Sequence, residues 1–395
     1  MEDNKRKVYL DSAATTYVNR EVLAEMMPVF NSIYGNPASV HSVGREAQNL
    51  LDNARTKIAH GINAETSEIY FTSGGTEANN WAILGLARAN KDKGKHIITS
   101  KIEHESVLQA CKQLEKEGFT VSYIGCDESG IVSLSQLMSA IRKDTILVSI
   151  MVANNEVGTI QNLNAIARTV KEKNILFHCD AVQALGSVPL NVKTIPIDAM
   201  SISAHKIYGP KGIGALYVKN GVKIDNLLFG GKQENGKRAG TVNVAFAVGF
   251  GKAIEIATRD VTITAQKLRH VRDYFVKNIL EKIENVSLNG HLHQRLPNIA
   301  NLCFECVDNE SLHLMLDLEG IECSIGSACT AGSVEPSYVL KAMGKSQEQI
   351  KSSIRFSIAK NTTKDDIDYV IEKLAGIVKK LREISPLRKP NKESK

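Results

Sequence analysis

A few side chains in this sequence are of the kinds that hold a carbonyl carbon, charge a ring nitrogen and bind a phosphate. Lys206 lies in Ser203-Ala204-His205-Lys206-Ile207-Tyr208-Gly209-Pro210, where small neighbours leave room for a flat ring. Asp180 closes the run Ile175-Leu176-Phe177-His178-Cys179. Ser73-Gly74-Gly75-Thr76 joins an apolar run to a helical pattern, so its amides and the helix start suit an anion. His104, Asn154-Asn155-Glu156, Gln183 and His205 add imidazoles and polar groups. Pyridoxal phosphate needs this set: an amine for a Schiff base, a carboxylate beside its ring nitrogen, and a phosphate cradle. The carboxylate keeps that nitrogen protonated through a charge-assisted hydrogen bond, which makes the ring an electron sink. Singly, each residue has a plainer reading: a lysine before Gly-Pro as a turn residue, an aspartate after a strand as a cap. Their joint placement favours the site.

That placement comes from the elements between them. Short apolar runs at 69–72, 96–100, 146–152, 175–178, 199–203 and 215–218 alternate with helical patterns such as 77–90, 105–117, 134–142 and 163–173. Alternation at this spacing predicts an α/β fold with a mostly parallel sheet covered on both faces. In such sheets ligands bind beyond the carboxyl ends of the strands, which is where the residues above fall. A helical pattern over 244–276 precedes a second αβ region with strands near 300–306 and 354–357. The domain change is placed near residue 260: residues 15–260 form a large cofactor-binding domain, and 1–14 with 261–395 a smaller one.

Composition narrows the class. The chain has 395 residues, 43% hydrophobic and 23% charged, which excludes disordered and fibrous classes and suits two unequal domains. No run approaches the ~18 apolar residues of a membrane span. The first residues lack the apolar stretch of a secretion signal and carry acids that an organellar presequence avoids. Seven cysteines without framework spacing fit a reducing compartment, so a cytoplasmic protein is expected. A net charge of +6 is small for this length and does not read as a nucleic-acid surface. Much of it sits in the tail, where Arg388, Lys389, Lys392 and Lys395 outnumber Glu393; a solubilising terminus is favoured over a contact for an acidic partner.

Cys329 stands apart from the other cysteines. It lies in Ser324-Ile325-Gly326-Ser327-Ala328-Cys329-Thr330-Ala331-Gly332-Ser333, where one residue in ten is large. Such a segment packs poorly and is expected to be mobile. A core cysteine has apolar neighbours at strand or helix spacing, and this one has none. Its thiolate is suited to attack on sulfur, and a flexible arm would carry the product outward. Cys303-Phe304-Glu305-Cys306 lies in a strand pattern without a second pair for zinc, and reads as structural. Cys323 could resolve an oxidised Cys329, although a buried strand thiol is the favoured reading. His291 and His293 read as loop residues, so no metal site is expected. Gly231-Lys232-Gln233-Glu234-Asn235-Gly236-Lys237 imitates a nucleotide-binding loop, but Arg238 stands where Ser or Thr would hold magnesium, and no strand runs into it.

The chain closely resembles cysteine desulfurases of the NifS/IscS type, in the class V aminotransferase family of PLP fold type I. The likeness runs from Tyr9-Leu10-Asp11 to about Pro386. It is carried most specifically by Tyr34-Gly35-Asn36-Pro37-Ala38-Ser39, Asn154-Asn155-Glu156-Val157-Gly158, residues 205–216, Gly326-Ser327-Ala328-Cys329-Thr330 and Ile354-Arg355-Phe356-Ser357. The resemblance implies an aspartate aminotransferase-like fold, with a seven-stranded sheet in the large domain. It implies that Lys206 holds PLP and moves protons, that Asp180 pairs with the ring nitrogen, and that Gln183 and Asn155 contact the ring oxygen. His104 would stack on the ring and assist proton transfer. Gly75, Thr76, Ser203 and His205 would bind the phosphate, with Thr241 added from the second subunit of a homodimer. Arg355 would grip the substrate carboxylate, with Asn155 beside it. Cys329 would take sulfur from L-cysteine as a persulfide, leave L-alanine, and deliver the sulfur to an acceptor such as an iron–sulfur scaffold.

The rival activities are a selenocysteine lyase, against which the long Cys329 loop argues, and a silent carrier, against which intact Lys206, Cys329 and Arg355 argue. Ala204, Lys232, Ala239 and Ala359-Lys360-Asn361 depart from the family pattern, and none removes a group with a chemical role.

Overall fold

The computed structural model describes residues 6–326 and 336–385; the basic tail lies outside them. Its strands are β1 (Val8–Tyr9), β2 (Ile69–Thr72), β3 (His96–Ser100), β4 (Thr120–Ile124), β5 (Thr145–Ser149), β6 (Leu176–Asp180), β7 (Ala199–Ser203), β8 (Gly214–Val218), β9 (Val286–Asn289), β10 (Ile299–Phe304), β11 (Ile321–Glu322) and β12 (Ser353–Ser357). Seven of them form one sheet in the order β2-β8-β7-β6-β5-β3-β4. The run from β4 through β3, β5 and β6 to β7 is parallel, and β8 is antiparallel to both of its neighbours. β3, β5, β7 and β8 are buried at every position, as expected for strands covered on both faces.

Two further sheets involve the second half of the chain. β12-β10-β9 is antiparallel, and β1 pairs in parallel with β11. Val8 and Leu10 therefore join a core of Phe275, Ile279, Leu302, Phe304, Ile354, Phe356 and Leu374, separate from the core under the large sheet. The helical pattern over 244–276 resolves into two helices, Val244–Arg259 and Val261–Lys282. They meet at Asp260, whose backbone (φ −127°, ψ 34°) is not helical.

The helix expected at 77–90 begins at Gly75 and is interrupted by a π-helical turn over Trp81–Gly85 before ending at Ala89. All five residues of that turn are buried, and the Trp81 indole donates to the Asp225 carbonyl at 2.9 Å. The widened turn accommodates a buried indole without a break in the helix; such turns recur near functional sites. Among the described residues no helix is long and apolar enough to cross a membrane.

Candidate active site

The carboxyl ends of β2, β3, β6 and β7 share one rim, so the loops that follow them converge. Asp180 is the last residue of β6 and is 6% exposed. One of its oxygens accepts from the Val182 amide at 2.9 Å, and the other from the Asn79 side-chain amide at 2.7 Å. Lys206 lies in the short turn after β7, and its ammonium donates to the carbonyls of Ala13 and Ala14. The Gln183 amide donates to the same Ala13 carbonyl at 2.8 Å. The N-terminal segment thus crosses the rim and fixes both side chains. Tyr208, two residues on, has φ 66°, a left-handed conformation costly for a bulky residue. Thr16 accepts from its amide at 2.9 Å, and its hydroxyl accepts from the Lys360 amide at 2.7 Å.

Gly75 opens the helix after β2. A Cβ there would stand 2.7 Å from Val182 and 3.7 Å from Ser203, and one on Gly214 would stand 2.8 Å from the Gly74 backbone. Only glycine permits backbone this close. Thr76 follows in the first turn. Ser203 ends β7, fully buried, with its hydroxyl unpartnered. His205 pairs with the Thr15 hydroxyl at 3.2 Å, and burial, reinforced by Lys206 and Lys211, pushes its imidazole down to about 4, so it is neutral at pH 7. Glu77 holds Arg238 through contacts of 2.8 and 3.0 Å, binding the glycine-rich segment before Thr241 to the same helix.

Arg355 enters from β12, 1% exposed. Its Nη2 donates to Asp11 at 2.7 Å and its Nη1 to the Asn155 carbonyl at 3.0 Å, while Nε has no partner. Asn155 carries its own buried, unpartnered Oδ1. Ser324 pairs with Arg355 backbone to backbone, at 3.1 and 2.7 Å. Ser337 donates to the buried Glu156 at 2.6 Å. Cys329 lies outside the described residues.

His104 caps the helix Glu105–Lys116, its Nδ1 accepting the Ser106 amide at 3.1 Å. Glu103 beside it is fully buried, and burial pushes its carboxyl up to about 8. Thr241 does not join these residues. It is exposed and lines a separate cleft with Asn36, Pro37, Lys232 and Gln233. Cys323 is buried and burial pushes its thiol up, as it does that of Cys303. Among the described residues no cluster of His, Cys, Asp or Glu is arranged to hold a metal ion.

The sequence reading missed Asn79, Ser106, Asp11 and the Ala13 and Ala14 carbonyls. Apart from the local Ser106–His104 cap, they act through contacts 27 to 344 residues apart, for which no local spacing gives a signal.

The residues suit pyridoxal phosphate on structural grounds. Buried polar atoms are almost always paired, yet Ser203 Oγ, Asn155 Oδ1 and Arg355 Nε stand orphaned around one lysine, one carboxylate and a glycine cradle. A phosphorylated, carbonyl-bearing cofactor and a carboxylate substrate would satisfy them.

Residues 8–370 match the class-V aminotransferase family, and the chain belongs to it. Members of this family depend on PLP. Among its relatives, a cysteine desulfurase IscS of Dictyoglomus turgidum is 51% identical, across 99% of this chain and all of that one. One of Methanosarcina thermophila is 50% identical, across 97% of this chain and 94% of that one. Among solved structures, a NifS-like protein superposes with a TM-score of 0.90 at 38% identity, over 95% of this chain and 100% of that one. SspA in complex with cysteine superposes at 0.80 with 37% identity, over 90% and 99%.

Proposed function

We propose that this chain is a PLP-dependent cysteine desulfurase that converts L-cysteine to L-alanine. The sulfur passes through a persulfide on Cys329 to an acceptor protein such as an iron–sulfur scaffold. The observation that carries the reading is Arg355: a buried guanidinium with an unpartnered Nε, held against the Asn155 carbonyl and Asp11, suits a small α-amino acid.

Lys206 would hold the cofactor's aldehyde carbon and Asp180 its ring nitrogen, with Gln183 and Asn155 at the ring oxygen. Gly75, Thr76, Ser203 and His205 would hold its phosphate. When bound, PLP supplies an electron sink next to the substrate's α-carbon. Arg355 takes the α-carboxylate as a planar, fork-shaped donor. The Cys329 thiolate attacks the substrate sulfur; the carbon–sulfur bond breaks as a sulfur–sulfur bond forms. The electron pair of the broken bond stays with carbon, and a proton completes alanine. Lys206 moves the protons and His104 assists.

The division at Asp260 fits this reading, with residues 15–260 carrying the cofactor groups and 1–14 with 261–395 carrying Arg355 and Cys329. A homodimer fits as well. Leu23, Met27 and Phe30 present 47–52% exposed apolar side chains along one face of the helix Arg20–Asn31, and Tyr34, Val40 and Phe229 are more exposed still. A second copy covering this face would bring Thr241 toward the other subunit's phosphate site. Seven cysteines without framework spacing suit a reducing cytoplasm.

The test is stoichiometry. Purified protein with L-cysteine and a thiol acceptor should release one alanine per sulfide. Release of pyruvate and ammonia in place of alanine would contradict the reading.

A further inference from the structure

Three buried groups and the half-buried His104 join the two sides of the candidate ring site in one hydrogen-bonded chain. Asp180 accepts from the Asn79 amide at 2.7 Å, and the same Nδ2 donates to the Ser106 hydroxyl oxygen at 2.9 Å. The Ser106 hydroxyl lies 2.7 Å from His104 Nδ1, which also accepts the Ser106 backbone N–H at 3.1 Å. Asn79, Ser106 and Asp180 are 1%, 6% and 6% exposed, so water does not interrupt the chain.

The direction of every bond follows from one end. Both Asp180 oxygens accept, one from the Val182 amide and one from the Asn79 side chain, so Asn79 turns its nitrogen, and not its oxygen, toward Asp180. Both hydrogens of that nitrogen are then spent, one on Asp180 and one on Ser106. The orientation is held although it leaves Asn79 Oδ1 buried and unpartnered, which is unfavourable by itself. Since the Ser106 oxygen accepts from Asn79, its own hydrogen is left for His104. Nδ1 therefore faces two donors, the Ser106 hydroxyl and the Ser106 amide, and cannot carry a proton. The amide cannot be rotated away without breaking the cap of the helix Glu105–Lys116.

We propose that Asn79 and Ser106 are positioning residues that fix the hydrogen-bond direction between Asp180 and His104 and keep Nδ1 of the imidazole an acceptor, with the proton on Nε2. His104 then meets the reacting groups as a hydrogen-bond donor, and the Lys206 amine is the base of the site. The functional arm of this inference rests on the desulfurase reading; the tautomer does not.

The experiment is nitrogen-15 NMR of histidine-labelled full-length holoenzyme at pH 7.5, with the His104 signals assigned by their loss in His104→Gln. In the wild type, Nδ1 should show the shift of an unprotonated acceptor and Nε2 that of a protonated nitrogen. Ser106→Ala should move the Nδ1 resonance toward that of a less hydrogen-bonded nitrogen, and Ser106→Thr should restore it. Asn79→Asp, which replaces the donor by an acceptor, should perturb the same resonance without touching His104. In parallel, Ser106→Ala should lower kcat about fivefold, the worth of one neutral hydrogen bond, with KM within twofold of the wild type. A wild-type His104 protonated on Nδ1, or a Nδ1 resonance indifferent to Ser106→Ala in a variant that melts normally, overturns the proposal. The NMR result stands even for a chain that fails to release alanine, so failure of the relay and failure of the activity are separable.

Discussion

Replacing Arg355 by lysine should raise the KM for L-cysteine about tenfold to a hundredfold and leave the fold intact. The guanidinium is 1% exposed, and two of its nitrogens are held by Asp11 at 2.7 Å and the Asn155 carbonyl at 3.0 Å. The unpartnered Nε is the donor available to an incoming carboxylate. Lysine keeps the positive charge, so Asp11 is not stranded, but it offers a point charge where arginine offers a planar fork. A hydrogen bond to a charged group is worth about 1.5–3 kcal/mol. At about 1.4 kcal/mol per factor of ten, its loss gives the stated range. Arg355→Ala should bind substrate no better and also lose stability, because it leaves the partly buried Asp11 carboxylate without its cation. The assay is the initial rate of alanine release against cysteine concentration, run beside urea unfolding of each variant. An Arg355→Lys enzyme with a KM within twofold of the wild type would show that the carboxylate docks elsewhere.

Three further outcomes follow from the same site. Lys206→Ala should lose the borohydride-reducible cofactor adduct at that position, and recovery of a reduced pyridoxyl group on another lysine, by peptide mass spectrometry, would refute the assignment. Glu103 is held above its usual range, at about 8, by burial, so the folded state favours its protonated form. Its contribution to stability is complete below the unfolded value of 4.5 and is lost as pH rises through about 8; urea midpoints of Glu103→Gln should therefore fall less than those of the wild type between pH 5 and 8.5, and parallel curves would refute this. Met27→Glu with Phe30→Asp should halve the mass in light scattering and weaken cofactor retention, whereas an unchanged mass would place the subunit contact on another face.

The sheet was legible because its strands are continuous apolar runs bounded by turn residues: β2, β3 and β7 occupy the expected positions. β4 escaped notice because Thr120–Ile124 is an edge strand, paired on one side and partly exposed, so its sequence carries little apolar signal. The two-residue strands β1 and β11 are too short for any period and exist only through each other. Lys206, Asp180 and the Gly75 turn stand out in the sequence because each lies at or just past the carboxyl end of a strand. The partners that hold them do not, since Ala13 meets Lys206, and Asn79 meets Asp180, only after the chain has folded. The break at Asp260 falls where the domain change is placed, but inside one helical pattern, because no Gly or Pro marks it there; the backbone angle separates the two helices.

The central claim is that sulfur leaves cysteine by way of Cys329, and one substitution tests it most directly. Cys329→Ser keeps the size of the side chain but replaces a soft nucleophile with an alcohol that is hardly ionised at neutral pH. After exposure to L-cysteine and removal of free sulfide, the wild type treated with cyanide should yield thiocyanate, with the persulfide mapped to Cys329. The variant should keep its bound cofactor, shift its absorbance when cysteine is added, and give neither thiocyanate nor alanine above background. Desulfuration by Cys329→Ser at the wild-type rate would contradict the account and point instead to Cys323 or to direct elimination.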